Sequence, residues 1–406
     1  MASQQKCADV IVAGAGPAGM IAALALAGQN ADVILAGPPA SADDRRTTTL
    51  MAPSMAALIP GVADALRRDG APLKVMRILD GTTRLLRSPP VSFHAAELGV
   101  DAFGWNIPNR AINAALETAI ADDSRISRIS LPIDAWVLGP DSVEAQLAGG
   151  RTVIAKLACA ADGRSSKARA AAGIAANSKK LGQSAFVATF AHQRPHLGIS
   201  TEFHTETGPC TQVPLPGNRS SLVWVVRPET ADKLAALDAA GLSMEIEMRL
   251  QSILGKVAVE AGWQVWPLET SLPAAFAQNR VALAGEAAHV FPPIGAQGLN
   301  LSVRDATDLA ACFAAHRDDP GSDAAMQAYD RKRRPDILAR ISAVSALNAT
   351  LLADFLPAQA ARSAGLGALG ALSPLRAFFM REGMSPGAGF AALSEGLRKE
   401  IGSKSA

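Results

Sequence analysis

Residues 9–19 read D-V-I-V-A-G-A-G-P-A-G, and this stretch decides which fold the amino-terminal part of the chain can adopt. Residues 9–13 are an apolar run typical of a buried strand, and the alanine- and leucine-rich residues 20–27 predict a helix. Residues 32–35 (D-V-I-L) predict a second strand. A strand, a glycine turn, a helix and a second strand within about 30 residues predict a βαβ unit with a parallel sheet.

The glycines of that turn have the spacing G-x-G-x-x-G. In a dinucleotide-binding turn the first glycine makes the bend, the second lets the backbone approach a pyrophosphate, and the third lets the helix pack closely on the sheet. The amino terminus of the helix then faces the anion. The residues predicted to bind a pyrophosphate are Gly14, Ala15, Gly16, Pro17, Ala18 and Gly19.

The second strand lacks the acid that usually accompanies such a turn. A carboxylate about 20 residues after the glycines should bind a ribose hydroxyl, but the strand ends in L-A-G-P-P at 35–39. Asp43 and Asp44 come later and are followed by Arg45 and Arg46. Either other groups hold the ribose, or the arginines receive a phosphate, as NADP would require. The first glycine cluster alone does not distinguish FAD from NADP.

A second glycine-rich stretch near the other end of the chain favours FAD. Residues 284–302 read A-G-E-A-A-H-V-F-P-P-I-G-A-Q-G-L-N-L-S and follow a predicted strand at 280–284. Glu286 closes that strand, where a carboxylate accepts hydrogen bonds from ribityl hydroxyls. The G-A-Q-G run at 295–298 opens a helix whose N–H groups can stabilise negative charge on a flavin ring. One extended FAD would contact both clusters.

Composition excludes several other classes of protein. The 406 residues include 39 basic and 37 acidic side chains, without the basic stripe of a nucleic-acid-binding protein. The four cysteines form no C-x-x-C pair, which predicts no zinc site or other metal site and suits a reducing compartment. Neither a signal peptide nor an apolar run of eighteen residues is present, which predicts a cytoplasmic location. The basic run at 331–334 is interpreted as a solvated helix face or as a phosphate or partner contact.

The predicted fold class is α/β: a Rossmann-like FAD-binding domain with an inserted β-rich substrate domain and a C-terminal helical region. Helices are also expected at 48–70 and 108–121, and near 229–260. The FAD-binding domain is predicted to be discontinuous, over 1–75, 100–180 and 275–330. The β-sheet substrate domain takes 76–99 and 181–274, because several strand patterns occur within 184–227. Residues 331–406 form the C-terminal helical region.

Three segments together resemble the fingerprints of the single-component (class A) FAD-dependent aromatic hydroxylases. They are G-A-G-P-A-G at 14–19, A-D-G-R-S-S-K-A-R at 161–169 and A-G-E-A-A-H-V-F-P-P-I-G-A-Q-G-L-N-L at 284–301. Within that group the chain is most similar to the UbiH/UbiF-type hydroxylases of ubiquinone biosynthesis in their alphaproteobacterial form. The likeness covers nearly the whole chain, with further matches at 45–50, 103–110, 214–224 and 329–336.

The resemblance implies roles for individual residues. Arg46 and Arg110 would touch FAD, and Asp162 and Gly163 would belong to the element linked to both FAD and NAD(P)H. The ribityl and flavin-ring contacts would come from Glu286, Pro293, Gly295, Ala296, Gln297, Gly298, Leu299 and Asn300. Two departures stand out: the second-strand acid is absent, and Glu286 occupies a position where the family usually has Asp.

The resemblance also implies the chemistry: reduced flavin reacts with O₂, and a flavin C4a-hydroperoxide transfers one oxygen atom to an electron-rich ring. Many relatives use a tyrosine to deprotonate the substrate, but Tyr329 is the only tyrosine here and lies beside the basic run. The catalytic candidates are therefore His204, in the inserted domain, and Pro293, whose backbone carbonyl can accept a hydrogen bond from the substrate. His289 is expected to order the flavin loop.

The predicted function is FAD-dependent hydroxylation of the ring of a polyprenylated phenol or benzoquinol intermediate in ubiquinone biosynthesis. NAD(P)H or another donor would supply electrons, and O₂ is the co-substrate. Two alternatives stay open: a hydroxylase or epoxidase of another aromatic or isoprenoid substrate, and a non-catalytic quinone-binding accessory flavoprotein. Contact with other ubiquinone-biosynthesis proteins also stays open. So does docking on the inner face of the cytoplasmic membrane through the apolar segments at 347–361 and 366–380.

Overall fold

The computed structural model describes residues 6–41, 44–82, 87–293, 297–352, 364–365, 367–369, 371–384, 388–389 and 392. Its strands are β1 (Lys6–Ala15), β2 (Val33–Pro39), β3 (Thr47–Met51), β4 (Ala71–Pro72), β5 (Val75–Asp80), β6 (Val91–His94), β7 (Gly104–Pro108), β8 (Ile126–Ile129), β9 (Ile133–Leu138), β10 (Val143–Leu147), β11 (Arg151–Ala160), β12 (Ala176–His192), β13 (Ile199–Thr205), β14 (Gly208–Leu215), β15 (Arg219–Val226), β16 (Val257–Val259), β17 (Gln264–Pro273), β18 (Ala277–Gln278) and β19 (Val281–Leu283).

The helices are α1 (Pro17–Ala27), α2 (Ala52–Ala57), α3 (Pro60–Asp69), α4 (Asn109–Asp122), α5 (Lys167–Ala171), α6 (Pro228–Ala235), α7 (Ala239–Arg249), α8 (Gly298–Ala315), α9 (Asp323–Leu352) and α10 (Ser373–Met384). Short 3₁₀ turns lie at Ala95–Leu98 and Gly285–Ala287. Within the part of the chain that the structure describes, none of these helices has the length and apolar character needed to cross a bilayer.

The first of two large sheets contains the predicted βαβ unit. Its main path runs β18-β19-β11-β1-β2-β8, and β1 pairs in parallel with both β11 and β2. Residues 10–13 of β1 are at most 1% exposed, as expected of a strand buried on both faces of a parallel sheet. The sheet draws strands from distant parts of the chain because β19 adds in parallel beside β11. The predicted Rossmann-like α/β architecture is confirmed.

The second large sheet follows the path β16-β12-β15-β14-β13-β5-β6, with β17 also pairing with β12. Helices α6 and α7 cover one face, on a core that includes Phe186, Phe203 and Trp224. The opposite face contacts β3, where the hydroxyl of Thr47 donates to the hydroxyl of Ser221 in β15 at 2.9 Å. A small sheet, β3-β7-β4, lies at this junction.

The strands follow the proposed domain division with two offsets. β12 begins at 176, five residues before the proposed start of the inserted segment at 181, and β5 begins at 75 rather than 76. The division itself stays a prediction. The C-terminal region is helical over α9 and α10, and much of 353–406 lies outside the described residues.

Two helix predictions are confirmed only in part. Residues 48–70 contain two short helices, α2 and α3, but begin in strand β3, because the run of threonines at 47–49 pairs with β7. Pro53 and Pro60 lie in the first turns of these two separate helices. Residues 229–260 contain α6 and α7 but end in strand β16, whose residues pair with the end of β12. Strand pairing outweighs local helix propensity at both places.

Candidate active site

The first glycine turn is shaped by close backbone contacts at two of its glycines. Gly14 has a φ of +101°, and a Cβ there would lie 2.3 Å from the carbonyl oxygen of Ala161. A Cβ on Gly19 would lie 1.9 Å from the carbonyl oxygen of Gly14. A Cβ on Gly16 would meet no atom within 4 Å. Gly14 and Gly19 therefore close the turn, and Gly16 borders open space where a pyrophosphate can approach the backbone.

Helix α1 begins at this open space. Gly16 is its N-cap, Pro17 is its first residue, and its first turn carries no acidic side chain. The free N–H groups and the positive end of the helix dipole are thus available to an anion. Arg128 of β8 lies at the end of β2, where its Nη1 donates to the carbonyl of Gly37 at 2.8 Å. A guanidinium is therefore anchored at the strand end that lacks the ribose-binding acid.

The two glycine clusters meet in space. Gly285, with a φ of +62°, packs so closely on α1 that a Cβ there would lie 2.9 Å from the Cβ of Ala18. The same added atom would lie 3.5 Å from the hydroxyl of Ser302 in α8. Gly285 and Ala18, 267 positions apart in the chain, are therefore neighbours, and one extended ligand can contact both clusters.

The turn at Gly285 is held by a buried carboxylate. Asp305 of α8 is fully buried and accepts hydrogen bonds from the Gly285 N–H at 2.9 Å, from His289 Nε2 at 2.7 Å and from Arg333 Nε at 2.9 Å. Burial alone would raise the pKa of Asp305, but the electrostatic effect of His289 and Arg333, with these hydrogen bonds, outweighs it and holds the pKa below its ordinary value. His289 therefore orders this loop, as expected.

The start of α8 is tied to β3 by Asn300. Its Nδ2 donates to the carbonyl of Thr49 at 2.8 Å, and its Oδ1 accepts from the N–H of Met51 at 2.8 Å. Gln297 precedes the helix and accepts a hydrogen bond from Arg340 of α9. A Cβ on Gly298, like one on Gly16, would meet no atom of the described residues within 4 Å. Leu299 packs against the main core, and Gly295 and Ala296 lie outside the described residues.

Charged side chains form a rim around these two clusters. Glu286 is 54% exposed and pairs with Arg164, whose Nε lies 3.1 Å from Glu286 Oε2. Arg164 also lies 3.2 Å from Glu269 Oε1. The Arg46 guanidinium lies over the Trp266 ring at 5.1 Å. Hydrogen bonding to Asp44 raises the pKa of Arg46 above its ordinary value, so Arg46 is a permanent cation at this rim.

Asp162 and Gly163 form the loop that follows β11. Asp162 Oδ2 accepts from the N–H groups of Lys167 at 2.9 Å and Ala168 at 3.3 Å and so caps α5, and Gly163 has a φ of +85°. Asp162 Oδ1 is buried and has no hydrogen-bond partner among the described residues. Arg169 of α5 donates to the carbonyl of Ala287 at 2.9 Å, which connects this loop to the second glycine cluster.

A cationic groove of about 220 Å³ lies beside Arg46. Arg219 in this groove pairs with Glu260 at 2.6 Å, and Arg45 donates to the carbonyl of Ala261. Arg110, at the start of α4, is exposed and also lines the groove. Four arginines thus face two carboxylates, Asp44 and Glu260, which leaves the groove with a net positive charge suited to phosphate groups.

The two proposed catalytic residues lie in different places. His204 is 5% exposed and bonds through Nε2 to Glu202 at 3.0 Å, and Glu202 also accepts from Thr211 at 3.1 Å. Alternation along β13 to β15 puts His204 on the same sheet face as Ser221, which meets the first domain. Pro293 is exposed at the end of the described part of the flavin loop. Tyr329 is buried and donates to the carbonyl of Leu283 at 2.8 Å, so its hydroxyl is used within the core.

Neither interpretation of the basic run holds for Arg333. It is 1% exposed and lies among three carboxylates, with ion pairs of 2.9 Å to Asp305, Asp308 and Asp336. Arg333 is turned inward because it shares a helix face with the buried Tyr329 and Ile337, four residues to either side.

Sequence motifs do not reveal Asp305, Arg333 and Arg340, which hold the described parts of the second cluster in place. Asp305 does leave a trace in the sequence, since it interrupts an apolar helical stripe between Leu301 and Leu309. Arg333 leaves a similar trace between Tyr329 and Ile337. A charged residue in the buried stripe of a helix indicates a buried ionic partner, but the spacing does not reveal which residue that partner is.

These features together fit FAD. Open backbone at Gly16 and Gly298 provides two approaches for one ligand, and the start of α1 suits its diphosphate. Arg46 and Arg164 add positive charge at the rim of the site. The close contact between Gly285 and Ala18 means that a ligand leaving the first turn immediately reaches the second cluster.

Comparisons with known proteins agree with this geometry. Residues 7–342 match the sequence profile of a family described as "FAD binding domain". Ubiquinone hydroxylase UbiL of Rhodospirillum rubrum is 32% identical over 400 residues, which cover 94% of this chain and 90% of that protein. The 3-demethoxyubiquinol 3-hydroxylase of Escherichia coli is 31% identical over 220 residues, which cover 54% of this chain and 56% of that protein.

Solved structures share the fold. The p-nitrophenol 4-monooxygenase PnpA from Pseudomonas putida superposes with a TM-score of 0.76 at 21% identity, over 94% of this chain and 97% of that one. A variant of HpxO from Klebsiella pneumoniae, complexed with FAD, superposes with a TM-score of 0.73 at 18% identity, over 93% and 98% of the two chains. The chain belongs to the FAD-binding-domain family and is an FAD-dependent monooxygenase.

Proposed function

We propose that the protein hydroxylates the aromatic ring of a polyprenylated phenol or benzoquinol intermediate in ubiquinone biosynthesis. The observation that carries the proposal is the 32% identity to a ubiquinone hydroxylase over 94% of this chain. The family profile at 7–342 spans both glycine clusters and the second sheet, so it includes the proposed cofactor site and the sheet that would contact the substrate.

The residues of the chain divide the work between binding and orientation. When bound and reduced, FAD supplies the activation of O₂ from which one oxygen atom reaches the substrate ring. The backbone at Gly14 to Gly19 would bind the diphosphate, and Arg46 would add positive charge at the rim of the site. The amino terminus of α8 at Gln297 and Gly298 would stabilise negative charge on the ring system. Glu286, with Arg164 beside it, would bind ribityl hydroxyls.

His204 is the proposed acid–base residue for the substrate. It lies on the sheet face that meets the FAD-binding domain, and Glu202 fixes the orientation of its imidazole through the 3.0 Å bond. Glu202 is itself oriented by Thr211. This arrangement can take the phenol proton and so make the ring more reactive toward oxygen transfer. His204→Ala should abolish most product formation without changing FAD affinity, and unchanged turnover would remove the role.

The electron donor is proposed to be NADH or NADPH. The net positive charge of the groove at Arg45, Arg110 and Arg219 supports a phosphate-bearing reductant next to the flavin. Arg45→Gln should raise the KM for the nicotinamide nucleotide and weaken its salt dependence, because one cation is lost. A KM equal to that of the wild type at both low and high salt would contradict the proposed nucleotide donor.

Peripheral contact with the inner face of the cytoplasmic membrane is proposed for the C-terminal region. Leu372 and Phe379 are 53% and 52% exposed, although large apolar side chains usually lie inside. Most of the apolar segment at 347–361 lies outside the described residues, so the described support comes from Phe379 in α10 and from Leu372 just before it. Liposome flotation of the full chain and of a chain truncated before residue 347 tests the proposal, which fails if both float equally.

The substrate assignment is tested by complementation and lipid analysis. Escherichia coli lacking its 3-demethoxyubiquinol 3-hydroxylase, and strains lacking each other ring hydroxylase of the pathway, would receive the wild-type gene or the His204→Ala gene. We expect the wild type to restore ubiquinone in at least one strain and the variant to leave the precursor accumulated. If the wild type restores ubiquinone in none of the strains although the purified protein carries FAD, the substrate is another aromatic or isoprenoid compound.

A further inference from the structure

Helix α9 approaches the start of α8 through one carboxylate that organises three arginines. Asp336 Oδ1 accepts from Arg304 Nη1 at 2.9 Å and from Arg340 Nε at 3.1 Å. Its Oδ2 accepts from Arg333 Nη1 at 2.9 Å. Burial alone would raise the pKa of Asp336, but the three guanidinium charges outweigh it and lower the pKa below its ordinary value. Asp336 is therefore ionised at neutral pH and holds Arg340 in a fixed place.

Arg340 extends from this carboxylate to Gln297, the residue immediately before α8. Its Nη1 donates to Gln297 Oε1, while its Nε is held by Asp336, so the guanidinium is fixed at two points. An arginine has only donors, so the oxygen of the Gln297 amide must face Arg340. The amide NH₂ of Gln297 is then directed away from Arg340 and is left as a donor beside the helix terminus.

The packing around Arg340 leaves it little freedom. The arginine side chain is 11% exposed, and its Nη2 is buried without a hydrogen-bond partner among the described residues. A cavity of about 10 Å³, roughly enough for one water molecule, lies there. It is lined by Met51, Gln297, Asn300, Arg340, Gly383 and Met384, among others.

We propose that Arg340 is a positioning residue for the flavin, acting through Gln297 and through its charge. This role rests on the proposed function of Gln297 and Gly298 in binding the flavin ring. It adds Arg340, a residue of α9, to the cofactor site. Arg340 fixes which way the Gln297 amide faces, and it adds a buried positive charge behind the terminus of α8. Both effects favour a ring that becomes more negative on reduction.

A purely structural role for Arg340 would predict something different. If the residue only attaches α9 to α8, its loss would lower stability and leave the properties of bound flavin unchanged. If it positions Gln297 and contributes charge, its loss would weaken reduced FAD more than oxidised FAD, because only the reduced form carries the additional negative charge. The flavin reduction potential separates these two roles.

The experiment compares Arg340→Met, Arg340→Lys and Arg334→Met in the full-length holoenzyme. Arg334 is the matched control, because it lies on the same helix but pairs with Asp330 at 2.9 Å and donates to the carbonyl of Ala274. For each variant, oxidised-FAD affinity, the two-electron reduction potential and the thermal midpoint are measured.

We expect Arg340→Met to weaken the binding of oxidised FAD by about tenfold, as loss of a charge-assisted hydrogen bond does. The binding of reduced FAD should weaken by about tenfold more, which lowers the two-electron reduction potential by about 30 mV. Arg340→Lys should recover most of the potential but not the affinity, since it restores charge without the guanidinium geometry. Arg334→Met should change neither property.

An Arg340→Met protein that binds FAD with wild-type affinity and potential would overturn the inference, whatever its thermal midpoint. So would equal shifts in Arg340→Met and Arg334→Met. If the wild-type protein itself bound no FAD, the proposed role of the α8 terminus would fail first. If Arg340→Met does not fold, Gln297→Glu supplies the second test, because it keeps an acceptor for Arg340 but removes the amide donors. It should lower the potential as well, and an unchanged potential there would equally contradict the inference.

Discussion

The two glycine clusters at the cofactor site are held in shape by different means. The turn at 14–19 is fixed by its own backbone, since added Cβ atoms at Gly14 and Gly19 would overlap carbonyl groups. The described parts of the second cluster, 285–293 and 297–300, are fixed by side-chain contacts: Asp305 and His289 hold one end, and Asn300 and Arg340 hold the other. The shape of the first cluster therefore depends on the absence of side chains at Gly14 and Gly19, whereas the shape of the second depends on the presence of particular side chains.

This difference has a consequence for mutation. A backbone-built turn has no partner whose loss can loosen it, so it fails only when a side chain is added. A network of buried charges fails when any one member is removed, because the remaining charges lose their compensation. Four substitution or titration experiments test this contrast, beginning with the largest expected effect.

Replacing Asp305 by asparagine should cost the most, about 4 kcal/mol in the free energy of unfolding, since the buried Arg333 loses its central partner. The matched control is Asp308→Asn. Asp308 also pairs with Arg333, but its side chain is 17% exposed, so water compensates and the loss should be about 1 kcal/mol. Urea unfolding of the FAD-free proteins gives both values. Equal losses would mean that burial of the carboxylate is not what matters.

Replacing Gly19 by alanine should cost about 3 kcal/mol, because the new Cβ would force the carbonyl of Gly14 to move. Gly16→Ala is the control for the same turn: it meets no atom within 4 Å and should leave the unfolding free energy within about 0.5 kcal/mol. Gly16→Ala should nevertheless weaken FAD by at least about tenfold, since its methyl group occupies the approach of the diphosphate. Wild-type FAD affinity in Gly16→Ala would place the diphosphate elsewhere.

Replacing Asn300 by alanine should cost about 2 kcal/mol, because the buried Thr49 carbonyl and Met51 N–H each lose a partner. Ser302→Ala, in the same helix, removes a single 3.2 Å bond to the carbonyl of Gly298 and should cost less than about 1 kcal/mol. The two midpoints of chemical unfolding supply the comparison. A larger loss in Ser302→Ala would show that the tie to β3 is not what holds the start of α8.

The gradual effect of pH should be the smallest. The pKa values of Asp305 and Asp336 are lowered in the folded chain, so their contribution to stability is fully present above the ordinary aspartate value of 3.8. That contribution is lost as pH falls below 3.8 through the lower folded values. Unfolding midpoints measured from pH 6 downward should fall less steeply for Asp305→Asn than for wild type. Parallel curves would exclude Asp305 as a source of the acid sensitivity.

The same contrast explains which parts of the site the sequence predicts. Gly14, Gly16 and Gly19 are readable from the sequence because the turn requires glycine at fixed positions within six residues. The buried strand at 9–13 is readable for a similar local reason, its nearly continuous apolar character. The threonine run at 47–49 is not, because only its pairing with β7 makes it a strand.

The support of the second cluster could be predicted only in part. Asp305 and Arg333 interrupt apolar stripes, which indicates that each is buried, but nothing local connects them to each other across 28 residues. Arg340 and Gln297 are 43 residues apart and belong to segments with different patterns. Partner choice depends on how α8 and α9 pack, and that packing is set by the whole fold rather than by any motif.

The central claim, that one FAD spans both glycine clusters, is tested most directly by titrating the FAD-free protein with FAD, FMN and ADP. ADP carries the adenosine and diphosphate groups for the first cluster, whereas FMN carries the flavin and ribityl groups for the second cluster and only one of the two phosphates. The account predicts that FAD binds one per chain and at least about a hundredfold more tightly than either fragment, since linked contacts reinforce one another. Binding of FMN or ADP as tight as that of FAD would contradict it.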